Sequence, residues 1–457
     1  MKHLSTLFTV FATILFSAVS CTREIADSAP VLPVPDADGY AVSVDDALRA
    51  LDNELSILYD EDETRTSPRR RYVRNISSIG LGDIVPATRS VDIPDDVEDL
   101  LYVVEFADGC GSAVLGADKR VESVLAVLDE TVLTAEDFTA LASEADADDL
   151  RSFVVSLIAN GAVAQAATAM SGDPIDLIGD RPLPIYIVSG PETETYDICR
   201  QKPLLQTKWD QDSPYNDAYE MAANGEPHPA GCGVIAIAQI MMFHQFPDPL
   251  NVNNGYIFEW EILNRFKYGC SGQTAADRTH LSQFVYQLKN MIGATYSDSG
   301  TGTTNQQAVK AFANMGYHSI WLQSLSYDVA KNFVYSQKKP FYISGFRSGG
   351  SGHAWVIDGW NSYSMNHWLV TYDTRFKPGD GKIGRELSRE LVGRSEVNKV
   401  HCNFGWDGIC DGYYSFGVFD LSKRYVRDLD ESVGDIECYF DYLYNVDMKM
   451  ITCLPNN

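Results

Sequence analysis

Residues 231–247 constrain this chain more than any other stretch. Gly231-Cys232-Gly233 opens onto Val234-Ile235-Ala236-Ile237-Ala238-Gln239-Ile240-Met241-Met242-Phe243, a run without a single charge, and Pro247 closes it. Apolar residues on every side predict a helix buried all round, and a proline just past its end is a stop signal. Such a helix needs structure packed on all its faces, so the chain must build a sizeable core around it. Its 457 residues, 45% hydrophobic and 22% charged, are globular in composition and long enough for about two or three domains. The helix also starts on a cysteine. Unpaired amide N–H groups and the helix dipole favour a thiolate there, lowering the thiol from about 8.5, further so beside an imidazolium. Taken alone, the same residue fits an inert buried cysteine.

Charge divides the chain. The total is −27, which disfavours nucleic acid as a partner because phosphate contact needs local positive charge. Residues 22–200 hold 13 basic and 36 acidic residues, a net of −23, whereas 201–457 hold 22 and 27, a net of −5. Seven of the eight histidines lie in the second half. Two units of different chemistry are expected, with a seam near 190–203. Ahead of them, Lys2, an apolar run from Leu4 to Leu15 and Ala18-Val19-Ser20-Cys21 read as a secretory signal too short to span a bilayer. The cysteine at the cut suggests a bacterial lipoprotein with Cys21 as lipid anchor. The expected organisation is a signal over 1–20, a tether over 21–40, a first unit over 41–198 and a second over 199–457.

In the first unit, Ser43 opens a helical pattern through Ala47, Leu48, Leu51, Leu55 and Leu58. Thr64 to Arg74, with Arg69-Arg70-Arg71, reads as a solvated polar loop. Leu101–Phe106 and Gly111–Gly116 read as a hairpin around Asp108-Gly109, and Asp137–Thr168 as mostly helical. Histidine, cysteine and carboxylate do not concentrate here, so a binding or covering role is expected.

In the second unit, Gly349-Gly350-Ser351-Gly352-His353 feeds a histidine onto the apolar run Ala354-Trp355-Val356-Ile357. The glycines are no phosphate loop, since neither lysine nor helix follows. His401-Cys402-Asn403-Phe404-Gly405-Trp406-Asp407-Gly408 offers an amide able to accept from imidazole Nδ1–H and turn Nε2 toward a thiol. Upstream, Gln211 has an amide able to hold an oxyanion. Each has an ordinary reading alone: a structural histidine, a turn asparagine, a loop glutamine. The chain order Cys232, His353, Asn403 is that of papain-like thiol enzymes.

Together these runs resemble the streptopain family of papain-like cysteine peptidases. Carrying the resemblance are Pro203 to Asn216, Gly231-Cys232 with Ala238-Gln239-Ile240-Met241, Ser299-Gly300-Thr301 through Gly316-Tyr317, Gly352 to Gly359, Asn403 to Gly408 and Asp411 to Tyr414. Less sharply, Tyr102–Phe106 and Gly111–Arg120 resemble that family's pro-domain. The resemblance implies an α+β fold, with a helical part and an antiparallel sheet or barrel part, preceded by an α+β pro-domain. It implies Cys232 as nucleophile, His353 as general base, Gln211 and the Cys232 N–H as oxyanion donors and Asn403 as the histidine's orienter. Trp406, Gly352 and Gly300 fall at supporting or substrate-binding positions. The implied protein is an exported thiol endopeptidase zymogen that acts on protein and peptide substrates. Its own pro-domain would be its inhibitor, and it would need neither cofactor nor metal. It would meet the membrane only through a lipid. The alternatives are a non-catalytic surface binding protein on the same fold, and acyl transfer by the same dyad.

Some features depart from the family pattern. Gly233 stands where a small apolar residue is usual, and glycine inside a helix costs about 0.5–1 kcal/mol against alanine. Phe404 replaces the usual tryptophan. The 50-residue interval from His353 to Asn403 holds an insertion, expected as a β-hairpin through Trp368–Tyr372 and Arg385–Leu391. His244, at the helix end, is expected to cap it, and Cys270, Cys402, Cys410, Cys438 and Cys453 are open to pairing.

Overall fold

Ser43 starts the first helix as its capping signal predicts. Its hydroxyl accepts from Asp46 N–H at 3.2 Å, and α1 (Val44–Leu58) follows, burying Ala47, Leu51 and Leu58. The computed structural model describes residues 40–59, 71–84, 98–140, 150–168, 187–253, 255–297, 300–346, 352–375, 384–419 and 448–456. The signal and tether with Cys21, the acidic runs at 60–63, 95–96 and 146–149, Arg69, Arg70 and Cys438 lie outside them.

After α1 come β1 (Val73–Gly80), α2 (Leu81–Ile84), β2 (Asp99–Phe106), β3 (Ser112–Gly116), β4 (Val124–Leu128), α3 (Ala135–Thr139) and α4 (Leu150–Thr168). The expected hairpin is β2–β3, in antiparallel register with Val103 opposite Val114. α4 is mostly apolar and sinks into the core, with Val154, Leu157, Ile158 and Ala162 fully buried. At Gly161 a Cβ would lie 2.9 Å from the Val418 Cα, so glycine lets helix and turn touch.

β5 (Ile187–Gln201) leads to α5 (Cys232–His244), the buried helix expected from its sequence, with residues 233–242 all buried. Around α5 lie β6 (Leu250–Val252), β7 (Tyr256–Phe258), α6 (Trp260–Asn264), α7 (Ala275–Ile292), β8 (Thr295–Ser297), β9 (Gly300–Gly302) and α8 (Asn305–Asn314). Capping boxes at Thr274/Asp277 and Thr304/Gln307 start α7 and α8. Next come β10 (His318–Ser324), α9 (Tyr327–Lys331), β11 (Phe341–Phe346), β12 (Gly352–Asp373), β13 (Arg385–Asn403), β14 (Gly412–Ser415) and β15 (Lys449–Leu454).

The architecture is α+β. One open sheet of eleven strands runs β1-β2-β3-β4-β14-β13-β12-β11-β15-β10, with β5 added on β12. It is therefore an open sheet, not a barrel. Residues from β2, β4 and α4 share a hydrophobic cluster with Trp355, Ile357, Phe404 and Tyr414, while α5, α7 and α8 build a second cluster. The insertion is a hairpin as expected, with Trp368 opposite Leu391 and Tyr372 opposite Glu386.

Several expectations need correction. Arg71 is no solvated loop residue: it bonds the Asp129 carboxylate at 3.1 Å and the Tyr59 hydroxyl at 3.0 Å. His244 does not cap its helix, because its Nδ1 lies 3.2 Å from the Tyr317 hydroxyl and Gln245 takes the left-handed cap position. The described cysteines, Cys270, Cys402, Cys410 and Cys453 among them, are free thiols. Gly233 is a packing requirement, since a Cβ there would lie 2.7 Å from the Thr303 Cβ.

Candidate active site

Cys232 is the first residue of α5, after Gly231 at φ 98°. A Cβ on Gly231 would fall 2.6 Å from the Thr301 carbonyl oxygen. Glycine thus lets β9, which begins at Gly300, run close beneath the start of α5. The Gln211 carbonyl accepts from Ala230 N–H at 2.8 Å, two residues before Cys232, and the Gln211 side chain is buried. Both expected oxyanion donors are therefore carried on directly connected backbone. Gly352 is the exposed first residue of β12, with His353 buried next to it.

The dyad itself is not formed. His353 donates from Nε2 to the Phe404 carbonyl at 3.3 Å. The Phe153 ring of α4 packs against the imidazole at 5.3 Å between centroids, with Phe404 at 6.0 Å and Trp406 at 6.5 Å. Burial drives the imidazole down to about 4, against the pull of the Phe404 carbonyl. Burial likewise pushes the Cys232 thiol up, opposed by the N–H groups of Ala354, Gly233 and Cys232 itself. The expected lowering of that thiol is therefore reversed in this state. Helix dipole and amides are present, but the desolvation they must offset is larger and no imidazolium faces the sulfur. Both partners are neutral near pH 7.

Asn403 also differs from expectation. Its Oδ1 accepts from Gln239 Nε2–H at 2.9 Å and from Gly405 N–H at 3.1 Å, and its Nδ2 donates to the Thr207 carbonyl at 2.8 Å. Among the described residues none of its bonds goes to His353, because the imidazole is turned onto the next residue's carbonyl. Trp406 is half-buried and lines a cleft of about 380 Å³ with Glu130, Thr131, Leu150 and Arg151.

A second polar cluster went unread in the sequence. His401 Nδ1 lies 2.7 Å from Asp358 Oδ1, and its Nε2 lies 3.4 Å from Asp129 Oδ2. Burial alone would lower this imidazole, but the two carboxylates hold it up at about 10. Asp129, which burial would raise, is held down at about 2 by His401, Arg71 and Tyr59. Beside them burial pushes Asp411 up to about 7, while His401 and the Phe404 N–H pull the other way. That N–H donates to Asp411 Oδ1 at 2.8 Å. His401, Asp358 and Asp411 stand inside or beside the quoted motifs, but Asp129 is 272 residues from His401 and no spacing rule links them.

Residues 209–414 match the Peptidase C10 family model, and this span contains Gln211, Cys232, His353, Asn403 and Trp406. Over these residues the chain is similar to the Peptidase C10 family. The C10 segment is 23% identical over 264 residues to streptopain of Streptococcus pyogenes, an alignment covering 48% of this chain and 57% of streptopain. It is also 23% identical over 222 residues to the thiol protease/hemagglutinin PrtT of Porphyromonas gingivalis, covering 43% of this chain and 25% of PrtT. The alignments thus take in between a quarter and just over half of these relatives. Among solved structures, a prointerpain A fragment of Prevotella intermedia aligns over 81% of this chain and 98% of its own, with TM-score 0.49 and 18% identity. Active interpain A aligns over 56% and 94%, with TM-score 0.36 and 17% identity.

Proposed function

We propose that this protein is a cysteine endopeptidase made as a zymogen, and that residues 41–198 are its inhibitory pro-domain. The observation that carries the reading is the Phe153 ring of α4 packed on His353, with Nε2 bonded to Phe404 while Cys232 waits at the start of α5. A covering segment that occupies the base and leaves the nucleophile intact is what reversible silencing requires. With α4 withdrawn, His353 is free to turn from the Phe404 carbonyl to the thiol and take its proton. The Cys232 sulfur then adds to the scissile carbonyl, and the oxyanion is met by the Cys232 N–H and the Gln211 amide. His353 gives its proton to the leaving amine. It next deprotonates a water that displaces the thiolate, releasing the acid and restoring the dyad.

Self-maturation would cut between Pro191 and Pro203. Most of that interval lies in β5, paired to β12, but the pairing skips at Asp197 and Ile198, where Asp197 has φ 53° and Ile198 is 54% exposed. The bulge joins exposure to a break in the strand pairing. Export as a lipoprotein through Cys21 completes the proposal, and replacing Cys21 by alanine should end incorporation of labelled palmitate. Substrates are proposed as proteins and peptides.

The deciding experiment expresses the wild type beside Cys232→Ala. The expected result is that only the wild type shortens itself and digests casein. If the two behave alike, and iodoacetamide at about pH 6 fails to label Cys232 selectively, the chain is a binding protein on a peptidase fold.

A further inference from the structure

Gln239 sits at the centre of α5, two turns beyond Cys232 and on the same face, with no exposed surface. A buried amide in an otherwise apolar helix demands partners. It has two. Its Oε1 accepts from the Thr207 hydroxyl at 2.6 Å, and its Nε2 donates to Asn403 Oδ1 at 2.9 Å. Asn403 closes the ring by donating from Nδ2 to the Thr207 carbonyl at 2.8 Å. Each of the three residues donates once and accepts once, so neither amide can flip without breaking two bonds. Thr207 and Asn403 are buried as well.

The three corners belong to the three stretches that carry the chemistry. α5 bears Cys232. Thr207 lies four residues before Gln211, on the segment tied by Gln211 to Ala230. Asn403 ends β13 and immediately precedes Phe404, whose carbonyl holds His353. Both lone pairs of Asn403 Oδ1 are already used, by Gln239 and Gly405. Gly405 is pressed onto the same helix, since a Cβ there would fall 2.8 Å from Ile235 Cγ2.

We propose that Gln239 is a positioning residue. With Thr207 and Asn403 it forms a buried hydrogen-bonded triangle that sets nucleophile, oxyanion donor and base relative to one another. The inference rests on the peptidase reading above. Asn403 then acts through the helix of the nucleophile and not on the imidazole.

The test uses the full-length protein, allowed to mature and assayed on a fluorogenic peptide, as Gln239→Met, Thr207→Val, Thr207→Ser and the Gln239→Met/Thr207→Val pair. Loss of registration by about an ångström should lower kcat on the order of 10²-fold, with KM changed by less than about twofold. Thr207→Ser, which keeps the hydroxyl, should retain most of the rate, and the double variant should be no worse than either single. The pH profile of Cys232 alkylation should shift together in Gln239→Met and Thr207→Val but not in Thr207→Ser. If Gln239→Met fails to fold, the Thr207 pair decides. Unchanged kcat and alkylation profile in Thr207→Val, or losses that multiply in the double, would overturn the proposal. A wild type that hydrolyses no peptide defeats the peptidase reading instead, and the alkylation profiles still judge the triangle.

Discussion

Removing one carboxylate from the His401 cluster should loosen the N-terminal part from the C10 segment. His401 and Asp129 are 3.4 Å apart, which at an effective dielectric of about 20 corresponds to about 5 kcal/mol of bare attraction. Asp129 is 36% exposed at its side chain, so water screens much of this, and Asp358 still neutralises His401 after the change. Between the small worth of surface pairs and the larger cost of breaking buried ones, Asp129→Asn should cost about 1–3 kcal/mol of docking. That is about 5–150-fold in the opening equilibrium. The direct reporter is hydrogen exchange of the β4 amides, which pair with β14 at the seam (Ala126 with Tyr414, Val127 with Tyr413). It is measured in a Cys232→Ala background so that the chain stays whole. His401→Gln should give a similar acceleration, and the double variant should fall short of the product. The pH dependence has a defined sign. His401 is held up by Asp358 on its own segment and by Asp129 across the seam, so the share owed to Asp129 is full at low pH and fades as pH climbs toward about 10. Asp129 is lowered, so its share is full above the ordinary aspartate range and is lost as pH falls toward about 2. Unchanged β4 exchange in Asp129→Asn, or strict additivity in the double, would refute the reasoning.

Phe153→Ala should uncover His353 and remove a ring buried in the shared cluster. It should cost about 3–5 kcal/mol of local packing and speed both self-shortening and iodoacetamide labelling of Cys232. Gln211→Ala should lower kcat by about 10²–10³ on a peptide substrate while the protein matures into the same folded product when cut in trans. Gly233→Ala sets helix propensity against space. The gain of about 0.5–1 kcal/mol should lose to the 2.7 Å approach of Thr303, so calorimetry should show a lower Tm.

The parts of this molecule that could be read from its sequence are those set by local rules. The buried α5 announces itself by apolar residues on every face, β2–β3 by alternation around Asp108-Gly109, and the β12–β13 arm by an interval too long for the family. The candidate residues were legible because glycine, cysteine, histidine and asparagine recur in one order. What they do in this structure was not. His353 is set by Phe153, 200 residues earlier, and Asn403 by Gln239, which reads only as one more position in an apolar run. The step in charge at 190–203 marks a change of composition, yet β5 crosses it as paired strand. Only tertiary contact, which periodicity cannot carry, decides such matters.

The seam between β4 and β14 holds just three residue pairs, and this brevity has a consequence for any departure of the N-terminal part. A four-residue lip such as Gly412–Ser415 is too short an edge to recruit foreign chains, so the C10 segment left behind would expose little pairing surface there. The piece that leaves would bare Val124-Leu125-Ala126-Val127-Leu128, wholly apolar and unpaired on one side. Freed, it would be digested or clump before it could rebind, making its departure a one-way step.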